Sequence, residues 1–509
     1  MSQRDKISSL KRAGEDGGVQ NRRNRTENLR EMKMTEHLAK RREMRMDSVE
    51  SGMGMTSAPS SMVGDGSYNL DSIIMNLKSP NPSVVQEALG NLRSALGQRF
   101  ISAEDFVSKP EGPLLILQHL QNTTNHKIQY DAAWCITSIT SSSTVPTSAM
   151  VKAGVFNAII SQLGTPNNDI LNQLIWAIGN ISGDIPELRD SVINAGFVQI
   201  IVGILQKPNV PLQIVQTATW TLSNFARGTP RPDFEAIKCI VPVLANMLKW
   251  DDDEVLMNTA WAISFLTNED VNQIQAIIDT GCVPNLIRLM THPSAKVAAP
   301  CIRALGNATF GTEDQTDYLL QSGLCSAIKE CLRCSKAAII REAAWLVSNI
   351  SAGPSKHVQI LSDSGVLEII IPLVNSASKE IRREAVWAVS NATCEATQDV
   401  MRRMVENGVV EAILAFLNNV LLSERDTAHT IVVALEGLSN ILNAGRNSSD
   451  NMEETENPIA ERIKRANGLN TIEELQSHKS TLVYEAAKKL LDDYFMDEDD
   501  EDEDEGFEY

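Results

Sequence analysis

The 509-residue sequence is poor in aromatic residues and lacks the patterns typical of disulfide-rich or membrane-spanning proteins. Phe, Trp and Tyr make up 5% of the chain, which argues against a β-sandwich, because its strands favour aromatic and β-branched residues. Eight cysteines are scattered without the spacing of a disulfide framework. The first residues, MSQRDKISSLKR, contain no apolar signal-peptide core, and no apolar run reaches membrane length. These absences predict a soluble, intracellular protein that does not insert into a membrane.

Catalytic and metal-binding patterns are also missing from the sequence. It contains no G-x-S-x-G or phosphate-loop motif, and its seven histidines are dispersed. Cys331 and Cys334 form a C-x-x-C pair, but no second pair and no spaced histidines accompany them. The sequence therefore predicts a protein that is not an enzyme and that holds no cofactor or metal ion.

Charge is distributed unevenly along a chain whose formal net charge is −19. Residues 1–46 contain 13 Lys or Arg and 7 Asp or Glu, and the Ser-, Gly- and Met-rich segment 47–66 that follows is typical of a flexible linker. Residues 67–495 are periodic, and the tail 496–509 contains ten Asp or Glu and no Lys or Arg. A chain with an acidic body favours basic ligands over nucleic acid, and its basic arm resembles such a ligand.

The body repeats with a period close to 42 residues. One marker is Trp-x-x-x-Asn, as in WAIGN, WTLSN, WLVSN and WAVSN. A second marker is a glycine that precedes an apolar helix, at Gly112, Gly154, Gly196, Gly281, Gly323, Gly365 and Gly408. Periods of this length belong to armadillo and HEAT repeats, which stack because no single repeat can bury its own apolar faces. The sequence predicts an all-α, right-handed superhelical solenoid of about ten armadillo repeats, with degenerate repeats at 70–100 and 467–495.

The Trp and Asn markers have two interpretations. A Trp in each repeat is explained about equally well by core packing and by a binding surface. Asn is a mediocre helix former whose buried amide needs partners, so its recurrence is harder to explain by packing. Residues i and i+4 share a helix face, and the two markers would line one side of a groove. We call this row of Trp and Asn side chains the ladder. Its tryptophans are six of the seven in the chain, Trp134, Trp176, Trp220, Trp261, Trp345 and Trp387, and its asparagines are Asn180, Asn224, Asn307, Asn349, Asn391 and Asn440.

The chemistry of the ladder predicts its ligand. An Asn amide can bond both the C=O and the N–H of an extended peptide backbone, and slots between Trp rings suit the stem and charge of a lysine. Carboxylates near the slots, at Asp184, Glu342 and Glu384, would select cations. The expected ligand is an extended peptide rich in Lys and Arg.

These motifs resemble the importin-α (karyopherin-α) family, the adaptors that recognise nuclear localisation signals. The resemblance covers the whole chain and rests on IWAIGNISGD, TWTLSNFARG, RALGN, AWAVSN and the C-terminal GLNTIEELQSHKSTLVYEAAKKLLDDYF. It implies a shuttling protein of cytoplasm and nucleus whose partners are basic cargo proteins, importin-β and a recycling exportin with Ran-GTP.

The resemblance also implies two peptide sites. The major site would consist of Trp134, Thr147, Trp176, Asn180, Asp184, Trp220, Asn224 and Arg227, with Thr147 beside an Asp184 pocket that holds a critical lysine. The minor site would consist of Arg303, Asn307, Glu342, Trp345, Asn349, Glu384, Trp387 and Asn391, with Arg303 at a Trp position separating the two sites. The chain departs from the family pattern at Ser138, Ser142, Asn258, Phe265 and Phe310.

The basic arm resembles the importin-β-binding segment of the family. A solvated tail or a nucleic-acid hook is the alternative interpretation of such an arm. Lys40, Arg41 and Arg42 argue against it, because they form a short basic signal just ahead of the flexible linker. A linker as long as 47–66 would let the arm fold back on the groove, and tethering makes even a weak internal match competitive, so autoinhibition by the arm is a hypothesis. A catenin-like scaffold would instead need a basic groove and no basic arm. The basic residues concerned are Lys11, Arg12, Arg22, Arg23, Arg25, Lys40, Arg41 and Arg42.

Overall fold

A computed structural model describes residues 68–121, 124–268, 270–423, 427–448 and 457–495. Within these ranges the chain is helical and forms no β-strand. The basic arm, the linker and the acidic tail lie outside them, and so do the arm residues Lys11, Arg12, Arg22, Arg23, Arg25, Lys40, Arg41 and Arg42.

The chain divides into two compact units, Met1–Ala195 and Gly196–Tyr509. The described helices of the first unit are α1 (Leu70–Leu77), α2 (Pro82–Gly97), α3 (Ala103–Ser108), α4 (Glu111–Gln121), α5 (His126–Thr140), α6 (Thr144–Lys152), α7 (Val155–Gln162), α8 (Asn168–Ser182) and α9 (Pro186–Asn194).

The second unit contains the remaining helices. In the described residues these are α10 (Phe197–Leu205), α11 (Leu212–Ala226), α12 (Phe234–Ile237), α13 (Ile240–Met247), α14 (Asp253–Leu266), α15 (Val271–Asp279), α16 (Val283–Leu289), α17 (Ala295–Ala308), α18 (Glu313–Gln321), α19 (Leu324–Arg333), α20 (Ala337–Ser351), α21 (Ser355–Asp363), α22 (Val366–Ile370) with a 3-10 turn (Ile371–Asn375), α23 (Lys379–Glu395), α24 (Gln398–Glu406), α25 (Val409–Ser423), α26 (Ala428–Ser448), α27 (Pro458–Arg465), α28 (Gly468–Leu475) and α29 (Thr481–Tyr494).

In chain order these helices form ten groups, each ending in a long helix that we call the third helix. The group α6–α7–α8 is typical, and the first group has only two helices. Third helices pack on one another within each unit: α2, α5 and α8 in the first, and α11, α14, α17, α20, α23, α26 and α29 in the second. The prediction of an all-α armadillo-repeat solenoid is confirmed.

Local sequence signals explain where the helices begin. Several third helices start after short polar side chains that accept hydrogen bonds from the first backbone N–H groups, as Asn125 does from Lys127 and Ile128. Others begin without such a cap, as α11 does after Pro211 and α20 after Lys336. Between the first and second helices, glycine supplies a left-handed turn, for example at Gly154 with φ 93°. Side chains other than glycine rarely tolerate this conformation, which accounts for the recurrence of the glycine marker.

One of the predicted marker glycines plays a different role. Gly112 lies inside α4 rather than in a left-handed turn, and a Cβ there would stand 2.9 Å from Cζ of Phe106. It therefore permits close packing of the ring on the helix.

Among the described helices none is by itself long and apolar enough to span a membrane, although three bent pairs reach the required length and composition together.

Candidate peptide-binding ladder on the third helices

The structure places the ladder residues on the third helices, but it buries them to different degrees. In the first unit, Trp134 is 5%, Trp176 3% and Asn180 0% exposed. At the start of the second unit, Trp220 is 5% and Asn224 2% exposed. Further along that unit the side chains keep a partly exposed surface at Trp261, Trp345, Asn349, Trp387 and Asn391.

The ladder asparagines have a packing role that the sequence-based interpretation missed. The Nδ2 group of Asn349 donates to the backbone oxygen of Gly306 at 3.1 Å, and that of Asn391 donates to the oxygen of Ser348 at 3.0 Å. Each acceptor is the backbone oxygen of the residue that immediately precedes the Asn position of the ladder in the preceding repeat. Asn180 bonds Thr137 at 3.2 Å and Asn307 bonds Ser264 at 2.8 Å in the same way. One amide N–H thus joins neighbouring repeats, and at the partly exposed Asn349 and Asn391 the rest of the amide can serve a ligand.

In the first unit, the carboxylate of Asp184 is bonded by a threonine that sequence analysis did not identify. Thr144 Oγ1 donates to Asp184 Oδ1 at 2.6 Å, whereas the Thr147 hydroxyl is buried and donates to the backbone oxygen of Ser143 at 2.9 Å. The other oxygen of Asp184, Oδ2, is buried and has no hydrogen-bond partner in the described part of the chain. A buried acceptor of this kind suits an ammonium donor.

Two of the departures from the family pattern lie at the end of α5 and just after it. Ser138, in the ladder position of Asn, is 7% exposed, and its hydroxyl has no hydrogen-bond partner among the described residues. Ser142 donates its hydroxyl to the backbone oxygen of Ile139 at 2.5 Å. Neither side chain reproduces the inter-repeat hydrogen bond that an Asn makes elsewhere on the ladder.

The other members of the predicted major site lie in the second unit, on α11 and at its end. Trp220 and Asn224 are buried, and Arg227 caps the helix with its backbone N–H directed to the Asn224 oxygen at 3.4 Å. On the next third helix, Asn258 is 1% exposed and donates to the backbone oxygen of Gln216 at 3.2 Å. Phe265 stacks on Trp261, with ring centroids 6.1 Å apart.

The predicted minor site lies entirely in the second unit, where arginines of the chain itself bind its carboxylates. Glu342 and Glu384 are each 4% exposed. Arg341 bonds Glu342 and Arg383 bonds Glu384, each at 2.9 Å. Arg303 also bonds Glu342, through Nε at 3.0 Å, and its guanidinium carbon lies 4.8 Å from the centroid of the Trp345 ring.

Aromatic rings support the two tryptophans of this site. Phe310 lies at a centroid distance of 6.3 Å from Trp345, and His429 at 5.3 Å from Trp387. Gly306 lies directly beneath Trp345, because a Cβ at that position would be 2.2 Å from Cζ3 of the ring. The indole position thus depends on a glycine of the preceding repeat.

A cavity of about 210 Å³ opens beside the minor site. Asn349 lines it, and the other lining residues are Thr309, Gly311, Glu313, Thr316, Ile350, Gly353, Pro354 and His357. Sequence analysis missed these residues, although the repeat register contained a signal: Thr316 follows Asn307 by nine residues, as Thr147 follows Ser138. His357 is 2% exposed, and its Nε2 lies 2.8 Å from Oδ1 of Asp317. The cavity joins a ladder amide to carboxylate and hydroxyl groups, which suits a lysine side chain.

Comparison with known proteins places this architecture in a family. The armadillo/beta-catenin-like repeat family matches residues 143–183, 270–310, 312–352 and 354–394, and the atypical Arm repeat family matches residues 457–508. A crystal structure of an engineered protein is similar with a TM-score of 0.71 at 23% identity, covering 83% of this chain and 98% of the other. That similarity concerns the fold alone.

Curated relatives are more similar in sequence. Importin subunit alpha-1b of Oryza sativa subsp. japonica is 34% identical over 434 residues, which is 85% of this chain and 80% of the relative. Importin subunit alpha-3 of Arabidopsis thaliana is 33% identical over 487 residues, 94% of this chain and 90% of the relative. With third helices that carry the Trp-x-x-x-Asn ladder and relatives matched over most of their length, the chain belongs to the importin subunit alpha family of armadillo-repeat proteins.

Proposed function

We propose that this chain is a nuclear import adaptor that binds Lys- and Arg-rich localisation signals along its ladder. The observation that carries the proposal is the arrangement in the second unit, where Trp345, Asn349, Trp387 and Asn391 are partly exposed on successive third helices. The cavity lined by Asn349 lies beside them. Together these features provide aromatic surfaces for cationic stems and amides for an extended backbone.

The proposal assigns a binding or transport role, and no catalytic role, to the parts of the chain. The ladder takes the cargo signal, residues 1–46 bind importin-β, and the adaptor moves between cytoplasm and nucleus. A recycling exportin with Ran-GTP would return it. The names of the curated relatives, importin subunit alpha, support this assignment, as does the excess of basic residues in the arm.

Binding of a fluorescent Lys-rich peptide to the full chain tests the adaptor role. We expect Trp387→Ala to weaken binding about 5- to 30-fold, because loss of a cation–π contact and its apolar surface removes on the order of 1–2 kcal/mol. Trp250→Ala is the matched control, because Trp250 is also partly exposed but lies outside the ladder. Equal effects of the two substitutions, or no binding of the peptide to the unchanged protein, would contradict the ladder as the binding surface.

Substitutions in the arm separate its two proposed roles. Replacing Lys40, Arg41 and Arg42 with Ala in the full chain should increase peptide affinity, because the tethered competitor is weakened. Replacing Arg22, Arg23 and Arg25 with Ala should reduce capture of importin-β and leave the intrinsic peptide affinity of the ladder intact. Unchanged peptide affinity in the first variant would exclude autoinhibition, and unchanged importin-β capture in the second would exclude that role of the arm.

A further inference from the structure

An arginine covers the first tryptophan of the ladder. Arg93, on α2, places its guanidinium carbon 5.1 Å from the centroid of the Trp134 ring on α5. The same guanidinium group brings Nε to 3.3 Å from Oδ1 of Asp131, a carboxylate that is 1% exposed. Lys127 reaches that oxygen as well, at 3.0 Å. Arg93 thus contacts both an aromatic face and a buried carboxylate, which are the two groups that favour binding of a basic side chain.

The second unit contains the same arrangement one more time. Arg303 lies over Trp345 and bonds Glu342, as described above, with Nη2 2.5 Å from Oε2. In both places the carboxylate stands three residues before the Trp, and the arginine stands about one repeat, 41 or 42 residues, before it. The side chains of Arg93 and Arg303 are 19% and 17% exposed. The recurrence identifies a constellation of arginine, carboxylate and Trp rather than an isolated ion pair.

A third repeat has the carboxylate and the Trp but no such arginine. Glu384 stands three residues before Trp387, and the residue one repeat before Trp387 is Trp345. There the place of the arginine is occupied by a second indole, and the proposed function assigns a ligand cation to this part of the ladder. Arg93 and Arg303 thus each occupy a place on a Trp ring and a carboxylate that has no arginine one repeat before Trp387.

We propose that Arg93 is a built-in occupant of a cation subsite formed by Trp134 and Asp131, and that the subsite accepts a Lys or Arg side chain of a basic peptide when Arg93 is removed. This inference rests on the proposed function, because the ligand class is the same. In the unchanged protein Arg93 covers the first tryptophan of the ladder and so limits the length of peptide recognised there.

The carboxylate has unused acceptor capacity that supports the assignment. Oδ2 of Asp131 is buried and has no hydrogen-bond partner within the described residues. Leaving a buried acceptor unpaired costs free energy, so an ammonium or guanidinium that reaches this oxygen makes a favourable charge-assisted bond. Arg93 supplies charge neutralisation but not this second hydrogen bond.

The test measures how much one additional lysine adds to peptide affinity. Full-length protein is titrated with a Lys-rich peptide extended by one residue, Lys or Ala, at either end. We expect the ratio of the two affinities to be close to one for the unchanged protein. For Arg93→Ala we expect a ratio of about tenfold at one of the two ends, because the vacated subsite accepts the added lysine. The ratio compares two peptides on one protein, so competition by the basic arm cancels.

Two controls separate this subsite from a general change of charge. Lys152→Ala removes one positive charge from an exposed position on α6 of the same unit and should leave the ratio near one. The double variant Arg93→Ala with Asp131→Asn empties the subsite but removes its carboxylate, and should lose most of the gain. Arg93→Gln, which removes the guanidinium group from the Trp134 ring but keeps part of the aliphatic stem, provides the same measurement if Arg93→Ala does not fold.

The outcomes distinguish this inference from the proposed function. If the core peptide binds every variant but the added lysine never gains affinity, the subsite does not exist and the adaptor role stands. A gain that persists after Asp131→Asn, or appears equally in Lys152→Ala, assigns the effect to long-range charge and overturns the inference. If no basic peptide binds the unchanged protein, both proposals fail.

Discussion

The same Trp-x-x-x-Asn motif is buried in the first unit and partly exposed over most of the second. On α8, Trp176 and Asn180 are 3% and 0% exposed, whereas Trp345 with Asn349, and Trp387 with Asn391, keep accessible surface. The first unit also has Ser138 where the ladder calls for Asn, and its first Trp is covered by Arg93. One motif therefore contributes mainly to packing in one unit and offers a surface in the other.

The largest expected effect is the loss of stability when a ladder tryptophan is removed, and it should differ between the two units. Trp176→Ala should lower the free energy of unfolding by about 3–5 kcal/mol, because a fully packed indole leaves a cavity. Trp387→Ala should cost less than about half of that, since its ring is already partly hydrated, while weakening peptide binding more. Chemical denaturation followed by circular dichroism gives both values, and equal losses of stability would remove the distinction between the units.

A smaller effect is expected from the glycine beneath Trp345. Gly306→Ala brings a Cβ to 2.2 Å from the ring, so the indole must move, and we expect a loss of about 1–3 kcal/mol in stability together with weaker peptide binding. Gly203→Ala is the matched control in helix α10, because nothing lies within 4 Å of its added Cβ. That control should be stabilising by about 0.5–1 kcal/mol through helix propensity. Unchanged peptide affinity in Gly306→Ala would mean that the Trp345 position is unimportant for binding.

Removing a ladder asparagine should reduce both stability and peptide binding, whereas changing a ladder position that lacks Asn should not. Asn349→Ala removes the bond to the Gly306 oxygen and should cost about 1 kcal/mol in stability and weaken peptide binding. Ser138→Ala should change stability by less than about 0.5 kcal/mol, because the Ser138 hydroxyl makes no hydrogen bond to other described residues. A large effect of Ser138→Ala on peptide affinity would show that the first unit binds in spite of its missing Asn.

The smallest effects are expected from pH, and they have opposite signs in the two units. In the second unit, hydrogen bonds from Lys356 and His357 lower the pKa of Asp317 from its usual 3.8. Its contribution to stability is therefore present above about pH 4 and lost as pH falls through the lowered value. In the first unit, burial raises the pKa of Tyr130 to about 12, so its contribution is present below pH 10 and lost as pH rises towards 12.

Conservative variants isolate these two groups. Asp317→Asn should flatten the acid limb of the stability curve, and Tyr130→Phe should flatten the alkaline limb, both measured by denaturation at a series of pH values. If the stability of Asp317→Asn still falls at acid pH as it does in the unchanged protein, other carboxylates cause that acid limb. Tyrosinate absorbance that grows fully near pH 10 would contradict the raised pKa of Tyr130.

Much of the fold followed from one-dimensional pattern, and part of the site did not. The period near 42 residues located the third helices and placed Trp345, Asn349, Trp387 and Asn391 on them. The Thr144 hydroxyl, which donates to Asp184, was missed because the two residues are 40 positions apart and meet only when neighbouring repeats stack. The cavity beside Asn349 was missed because its walls come from residues up to 48 positions apart, from Thr309 to His357.

By itself the sequence determined the helical class, the repeat length, the register of Trp and Asn and the family, because periodic burial of apolar faces and the residues that start and stop helices are properties of short segments. Only the tertiary structure decided which of the repeated side chains stay accessible and which charges find partners within the chain. Those outcomes depend on residues about 40 positions apart that meet when repeats stack, as Arg93 meets Trp134 and Arg303 meets Glu342.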